Sequence, residues 1–276
     1  MSGLCGLDVG ISTTDIVADW APRRTLTFPT AEPVETATLA VRRLLETSPP
    51  PPGEPIVIAA TGVGSHRLGR TLCSFPVRLV SEIEAIGRGG VDAARVDEAL
   101  VVSLGTGTAM VSVRGAEFLH VTPGTGVGGG TLLALARSVL GLDDFETFAA
   151  LAARGDRSKV DLTLRDVAGT GVGAMPAEAT ASNLGKLDPG ARPEDVAAGI
   201  ANLVTEVALT IAFLGLQITG HSRIVLIGKL ALLEALCRRL ADLPDGLRTL
   251  FNVPADAGTA SARGALAALQ ASGGKP

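Results

Sequence analysis

Asp8-Val9-Gly10-Ile11-Ser12-Thr13-Thr14 decides how the rest of this chain is read. A short apolar run, Leu4 to Leu7, leads into it as a strand, and a second strand, Ile16 to Trp20, leads out. An acid at a strand end, a glycine turn and then hydroxyls suit a metal-bound polyphosphate. The Asp8 carboxylate can hold a magnesium ion or its waters, and the turn formed by Gly10, Ser12 and Thr13 offers backbone N–H groups to anionic oxygens. The same residues also suit a plain hairpin. Taken alone, the stretch does not choose between the two.

The pattern recurs. Ala99 to Leu104 is an apolar strand that ends in Gly105-Thr106-Gly107-Thr108. Strands Ala109 to Val113 and Phe118 to Val121 follow, with Arg114-Gly115 between them. With Thr25 to Phe28 closing the first set, strand, turn, strand, strand occurs near residues 4–28 and again near 99–121. Between the copies lie a helix from Glu32 to Leu45, a Pro49–Pro52 break and the strand Ile56–Ala60, which ends in Thr61-Gly62-Val63-Gly64. The strand Val77–Val80 and a helix from Ser81 to about Gly90 complete the interval. The expected fold is α/β, with two similar lobes built on mixed sheets, each offering a phosphate-type turn to a shared cleft.

Gly124-Thr125-Gly126-Val127-Gly128-Gly129-Gly130-Thr131 precedes a helix from Leu132 to Leu140. Glycines at a helix start allow N–H groups to converge on an anion or a small polar substrate. A second helix spans about Phe145 to Ala153, and a charged ordered segment covers Val160 to Val167. Pro193 to Ile218 is the longest helix. Pro193, Glu194 and Asp195 stand in its first turn, and Val196, Ile200, Leu203, Val204, Val207, Ile211 and Leu214 form one apolar stripe. The strand Arg223–Ile227 runs into Gly228 and a helix, the arrangement expected of an adenine or ribose platform. Gly258 to Leu269 closes the chain as a turn and helix.

With aromatics at 3% and no tyrosine, the core must be aliphatic. The net charge of −4 and the lack of a basic tract argue against a nucleic-acid partner. No run approaches the roughly 18 apolar residues of a membrane span, and no basic leader opens the chain, so a cytoplasmic protein without a membrane partner is expected. Cys5, Cys73 and Cys237 lie far apart and match no zinc or iron–sulfur spacing.

Two phosphate-type turns, a glycine-rich run and a late strand–glycine–helix, in this order, resemble the acetate-kinase/sugar-kinase/Hsp70/actin superfamily. More narrowly, the chain resembles the type II pantothenate kinases. The matches are Gly105-Thr106-Gly107-Thr108, the Gly124–Thr131 run, Arg154-Gly155-Asp156-Arg157 with Asp161-Leu162, Ala181-Ser182-Asn183-Leu184-Gly185, and Gly264-Ala265-Leu266. The resemblance implies two actin-like (ribonuclease-H-like) lobes around a nucleotide cleft. Residues 1–96 would form the N-terminal lobe, with the first turn and the base. Residues 97–276 would form the C-terminal lobe, with the second turn, the glycine-rich loop and the adenosine platform.

The resemblance also implies ATP-dependent phosphorylation of pantothenate, the first step of coenzyme A synthesis, with ATP and Mg²⁺. Glu82 matches the general base, with Glu84 as its competitor. Asp8, Gly10, Ser12, Thr13, Gly105, Thr106, Gly107, Thr108, Gly128, Gly129, Gly130 and Gly228 match the nucleotide site, and His120, Thr125, Gly126 and Asn183 the substrate site. A homodimer and a coenzyme A or acyl-coenzyme A regulator follow from the same likeness. The chain departs from the family at three places. Asp15 stands where the family has a lysine that holds phosphates, and His120-Val121-Thr122-Pro123 stands where an arginine usually precedes the glycine-rich loop. Lys229-Leu230 follows Gly228 where the family usually has small polar residues, and Lys229 reads most simply as a solvated residue at a helix start. The open alternatives are another small hydroxylated substrate, a non-catalytic nucleotide or coenzyme A binder, and an ATPase activator of 2-hydroxyacyl-CoA dehydratases. The activators carry a cysteine pair that this chain lacks.

Overall fold

The computed structural model describes residues 3–53, 55–173 and 175–273. The first sheet begins as an antiparallel meander, β1 (Gly3–Val9), β2 (Thr13–Ala18) and β3 (Thr25–Pro29). Helix α1 (Pro33–Thr47) follows. It starts with proline at its first position, and the Glu32 carboxylate accepts from Glu35 N–H. β4 (Ile56–Thr61) pairs parallel to β1. A two-residue strand β5 (Thr71–Leu72), absent from the sequence reading, turns back onto β6 (Phe75–Leu79), and β6 pairs parallel to β4. The order is β3-β2-β1-β4-β6-β5.

Helix α2 (Glu82–Ala94) leads to the second sheet, which repeats the design. β7 (Glu98–Leu104), β8 (Thr108–Arg114) and β9 (Glu117–Thr125) form another antiparallel meander. After α3 (Gly129–Leu140), α4 (Phe145–Ala152), β10 (Leu162–Thr163), α5 (Leu164–Ala168), β11 (Thr180–Ser182) and α6 (Pro193–Thr219), the strand β12 (Ile224–Ile227) pairs parallel to β7. Helices α7 (Glu234–Ala241) and α8 (Asp245–Arg248) precede β13 (Phe251–Asn252), which pairs parallel to β12. The order is β13-β12-β7-β8-β9. In each sheet the meander lies on one side of its first strand and the parallel strands on the other. This is the two-lobed, mixed-sheet α/β architecture expected from the sequence.

The strand period explains the layers. On β7, Leu100, Val102 and Leu104 face a core shared with Leu132, Phe148, Ile200 and Val204 of α3, α4 and α6. Ala99 and Val101 face the other way, onto Ile86 and Val91 of α2. On β1, Cys5, Leu7 and Val9 pack against Ala37, Val41 and Leu44 of α1, while Leu4 packs with Ala265 and Leu269 of the last helix, α9 (Ala260–Ala271). Each large aliphatic side chain buried this way contributes about 1.5–3 kcal/mol.

The sheets follow chain order, but the two helices between them cross over. α9, from the chain's end, lies on β1 and β4, whereas α2 lies on the second sheet. The two helices meet through glycines. A β-carbon on Gly264 would lie 1.8 Å from the Ala85 carbonyl oxygen, and one on Gly89 would lie 2.0 Å from that of Ala260. Only glycine allows this approach. α6 is long and apolar enough to cross a membrane, but 67% of its apolar window is buried in the second core, as in the central helix of a globular lobe.

Candidate functional site

A cleft of about 1080 Å³ runs between the lobes. Its first wall is the turn between β1 and β2. Gly10 N–H donates to Thr13 C=O at 3.0 Å, closing the turn, and Asp8, Gly10, Ser12 and Thr13 all line the cleft. The opposite wall is the turn between β7 and β8, closed by Gly105 N–H donating to Gly107 C=O at 3.0 Å, with Gly105, Thr106, Gly107 and Thr108 in the lining. The two turns face each other. The hydroxyls of Ser12 and Thr106 are 3.0 Å apart, a hydrogen bond between lobes. Two segments that matched only in pattern thus become the two jaws of one site.

Glu82, the first residue of α2, lines this cleft and also a smaller cavity of about 300 Å³ formed with Gly62, Ser65, His66 and Ser81. Glu84 is engaged elsewhere, in an ion pair with Arg88 at 2.8 Å. The lining also has an apolar portion, Leu133, Phe145, Ala149, Ala153, Leu230 and Leu233, together with Gly228. Sequence reading identified Gly228 and predicted the helix at Phe145 to Ala153, but did not place that helix on the cleft. The small residues of α4 recur at Ala149 and Ala153, one turn apart, but an alanine step is also ordinary core packing.

The glycine-rich run reaches the cleft only in part. Gly124 and Thr125 extend β9, and Thr125 reaches the cleft. Gly129 N–H donates to Gly105 C=O at 2.8 Å, and Gly130 N–H donates to Thr106 C=O at 2.9 Å. A β-carbon on Gly128 would lie 2.7 Å from both Gly107 Cα and the Thr106 carbonyl oxygen. Gly129 lines the cleft, whereas Gly128 and Gly130 lie outside the lining, and the N–H groups of Gly129 and Gly130, expected to cradle an anion, are spent on the second turn. Gly126 is exposed and outside the lining. His120 is exposed on β9, paired with Val111, and Asn183 hydrogen-bonds to Glu206 and Asn202, so neither borders the cleft in this chain.

The electrostatics of the cleft are unbalanced. Asp8, Asp15, Glu82, Glu146 and Glu234 line it, and among the described residues Lys229 is the one Lys, Arg or His that does. Desolvation, helped by the charges of Asp15 and Glu82 and opposed by Lys229, pushes the Asp8 carboxyl up to about 7. Gly62 is required beside it, because a β-carbon there would lie 2.3 Å from Asp8 Oδ1. Thr61, in register with Asp8 on β4, has a buried hydroxyl with no hydrogen-bond partner. Asp15 is buried and accepts a hydrogen bond from Thr27 Oγ1. Its Oδ1 also lies 3.1 Å from Lys229 Nζ. That Nζ is buried and makes no aligned hydrogen bond, so Lys229 is not the solvated helix-start lysine the sequence suggested.

Two three-stranded meanders, each presenting a turn to a common cleft, define an actin-like fold of two lobes. Solved structures agree on the fold. The (R)-2-hydroxyglutaryl-CoA dehydratase component A of Acidaminococcus fermentans covers 100% of both chains with a TM-score of 0.70 at 16% identity. The activator of 2-hydroxyisocaproyl-CoA dehydratase from Clostridium difficile, with bound ADPNP, covers 99% of this chain and 98% of its own, with a TM-score of 0.66 at 16% identity. In sequence, the Fumble family model matches residues 93–236. The type II pantothenate kinase of Bacillus cereus is 28% identical over 180 residues, 62% of this chain and 66% of its own length. That of Oceanobacillus iheyensis is 34% identical over 131 residues, 47% of this chain and 48% of its own. Pantothenate kinase 1 of Oryza sativa is 34% identical over 133 residues, 45% of this chain and 20% of its own. This chain therefore spans less than two thirds of the length of these curated relatives. It belongs to the Fumble family, that of the type II pantothenate kinases.

Proposed function

We propose that this protein is an ATP-dependent kinase of a small alcohol, with pantothenate the first substrate to test. The observation that carries the proposal is the facing of the two turns across one cleft, Ser12 against Thr106 at 3.0 Å, with Glu82 on the same wall system. Phosphoryl transfer needs little covalent chemistry from the protein. It needs the polyphosphate held from both sides and a carboxylate able to take the alcohol's proton. The two turns provide the first. Glu82 provides the second and Glu84 does not, since its carboxylate is already paired with Arg88. The apolar pocket beyond Gly228 takes the adenine.

A magnesium ion fits the residues present. Asp8 is a half-buried carboxylate whose charge is opposed by desolvation and by neighbouring acids, and the orphaned Thr61 hydroxyl lies in register beside it. Asp8 would hold the ion directly or through water, with phosphate oxygens filling the other positions. Bound there, the ion would neutralise phosphate charge during transfer. The remaining work falls to the chain: the turns bind and orient, and Glu82 receives the proton.

The cleft's residues speak to ATP more directly than to the acceptor. The smaller cavity of about 300 Å³ beside Glu82 would receive the acceptor, and a second reading keeps the kinase with another small hydroxylated substrate. Nucleotide-release assays across pantothenate, pantetheine and N-acetyl sugars decide. Turnover on pantothenate supports the first reading, and turnover only on another alcohol supports the second. The same reading includes a cytoplasmic homodimer and regulation by coenzyme A or its thioesters, with residues 1–96 and 97–276 as the two working lobes apart from the exchange of α2 and α9 between the sheets. Leu214 and Ile218, exposed on α6, support the dimer, and light scattering tests it.

A further inference from the structure

Asp15 and Lys229 come from opposite lobes. Asp15 lies on β2 and pairs with Asp8 in the β1–β2 register. Lys229 follows β12 directly, and its place is set by Gly228, whose N–H donates to Ala257 C=O at 2.8 Å and whose φ of 90° favours glycine. A β-carbon on Gly228 would lie 2.4 Å from the Leu104 carbonyl oxygen, so the backbone carrying Lys229 is pressed against the end of β7, where the second turn begins. From this fixed point the side chain crosses to Asp15 Oδ1, at 3.1 Å.

A lysine ammonium has three donors. Here Nζ is buried, has the Asp15 carboxylate within ion-pair distance and feels the charge of Asp8, and makes no aligned hydrogen bond. An ammonium so placed in a cleft lined by five acids has unused capacity for an anion, and no other basic side chain among the described residues borders the cleft. Asp15, by contrast, already accepts from Thr27. It holds Lys229 while the cleft is free and competes with any anion that arrives.

Resting on the reading of the cleft as a nucleotide site, we infer that Lys229 is the cation that binds the nucleotide polyphosphate, delivered from the second lobe and restrained by Asp15 until phosphate displaces it. In this chain the positive charge of the phosphate site sits on the jaw opposite Asp8. Polyphosphate capture by Lys229 therefore draws on both lobes, and the Asp15–Lys229 contact is a latch that the ligand exchanges for its own.

Calorimetric titration tests this, with MgATP, MgADP and adenosine titrated into the full chain and three variants. Lys229→Met is expected to weaken MgATP roughly tenfold to a hundredfold while adenosine binding stays within about twofold. Lys229→Arg, which keeps the charge, is expected to retain most of the MgATP affinity and shows that the position tolerates exchange. Asp15→Asn is expected to tighten MgATP several-fold by removing the competitor. Equal MgATP affinity in Lys229→Met, or equal losses for MgATP and adenosine, would overturn the role of Lys229. Unchanged or weaker binding by Asp15→Asn would overturn the latch. If the unaltered protein binds no nucleotide, the nucleotide reading itself fails and takes this inference with it.

Discussion

Two groups of buried charge in this molecule are built to opposite rules. One surrounds Asp161, which has no solvent exposure. Its Oδ1 accepts from Leu184 N–H at 2.8 Å, and its Oδ2 accepts from Asn202 at 2.9 Å and from Arg157 at 3.4 Å. Asn202 also bonds to Asn183 and accepts from Arg239, which pairs with Glu206 at 2.6 Å. Burial raises the Asp161 pKa, and the Leu184 N–H, Arg157 and Asn202 pull against it. The other group is Asp8, Asp15, Glu82 and Lys229. There Asp8 rises to about 7, Thr61 Oγ1 has no partner, and Lys229 makes an ion contact without a hydrogen bond. A satisfied network specifies structure, whereas a half-satisfied one is tolerated only if something else completes it. The first group rivets the segment between α4 and α6 onto α6, and the second is the group we propose to be completed by a ligand.

Substitutions should therefore separate along this line. The largest effect is expected from Glu82→Gln. Turnover should fall at least a hundredfold, in the range general bases contribute, while MgATP titration shows binding intact. Unchanged turnover would show that Glu82 is not the base. Next comes Asp161→Ala, which orphans the Leu184 N–H and removes one buried acceptor from Arg157 and from Asn202. It should cost about 3 kcal/mol in denaturant unfolding. A loss below about 1 kcal/mol would mean that the rivet is not structural.

A smaller, pH-dependent effect is expected at Asp8. A carboxyl raised from 3.8 to about 7 holds its proton more tightly in the folded chain than in the unfolded one. Without ligand, stability should fall as pH rises from about 4 to about 7 and then level off. The change should be on the order of 1–2 kcal/mol, because the cleft admits solvent. Asp8→Asn should flatten this slope, and thermal melts across pH check it. The smallest effect belongs to Ser12→Ala, which removes one hydroxyl pair between the lobes. Stability should change by less than about 1 kcal/mol, and a larger loss would make that contact part of the scaffold.

The same contrast explains what could be read from the sequence. The sheets were legible because alternation and glycine turns are local, and the repeat of strand, turn, strand, strand appeared without any structure. Glu82 was legible only through family resemblance. Helix periodicity puts it and Glu84 on different faces without saying which face meets the cleft, and the Arg88 pairing of Glu84 separates them. The glycine run was legible as an N–H-rich helix start, but not which acceptor each N–H would find. Gly129 and Gly130 found the carbonyls of Gly105 and Thr106, which are close only in the fold. The exchange of α2 and α9 between sheets left no local pattern beyond scattered glycines. The Asp15–Lys229 contact joins opposite ends of the chain, so each residue alone looked like a departure from the family.

The most direct test of the cleft as an unfinished charge site is the thermal melt of the unaltered protein with ATP, with Mg²⁺ and with both. A ligand that binds only the folded state raises the melting temperature. The expected result is a rise of several degrees with millimolar ATP and Mg²⁺ together, and a smaller rise with ATP alone. An unchanged melting temperature under all three conditions would contradict the assignment of this cleft to a nucleotide.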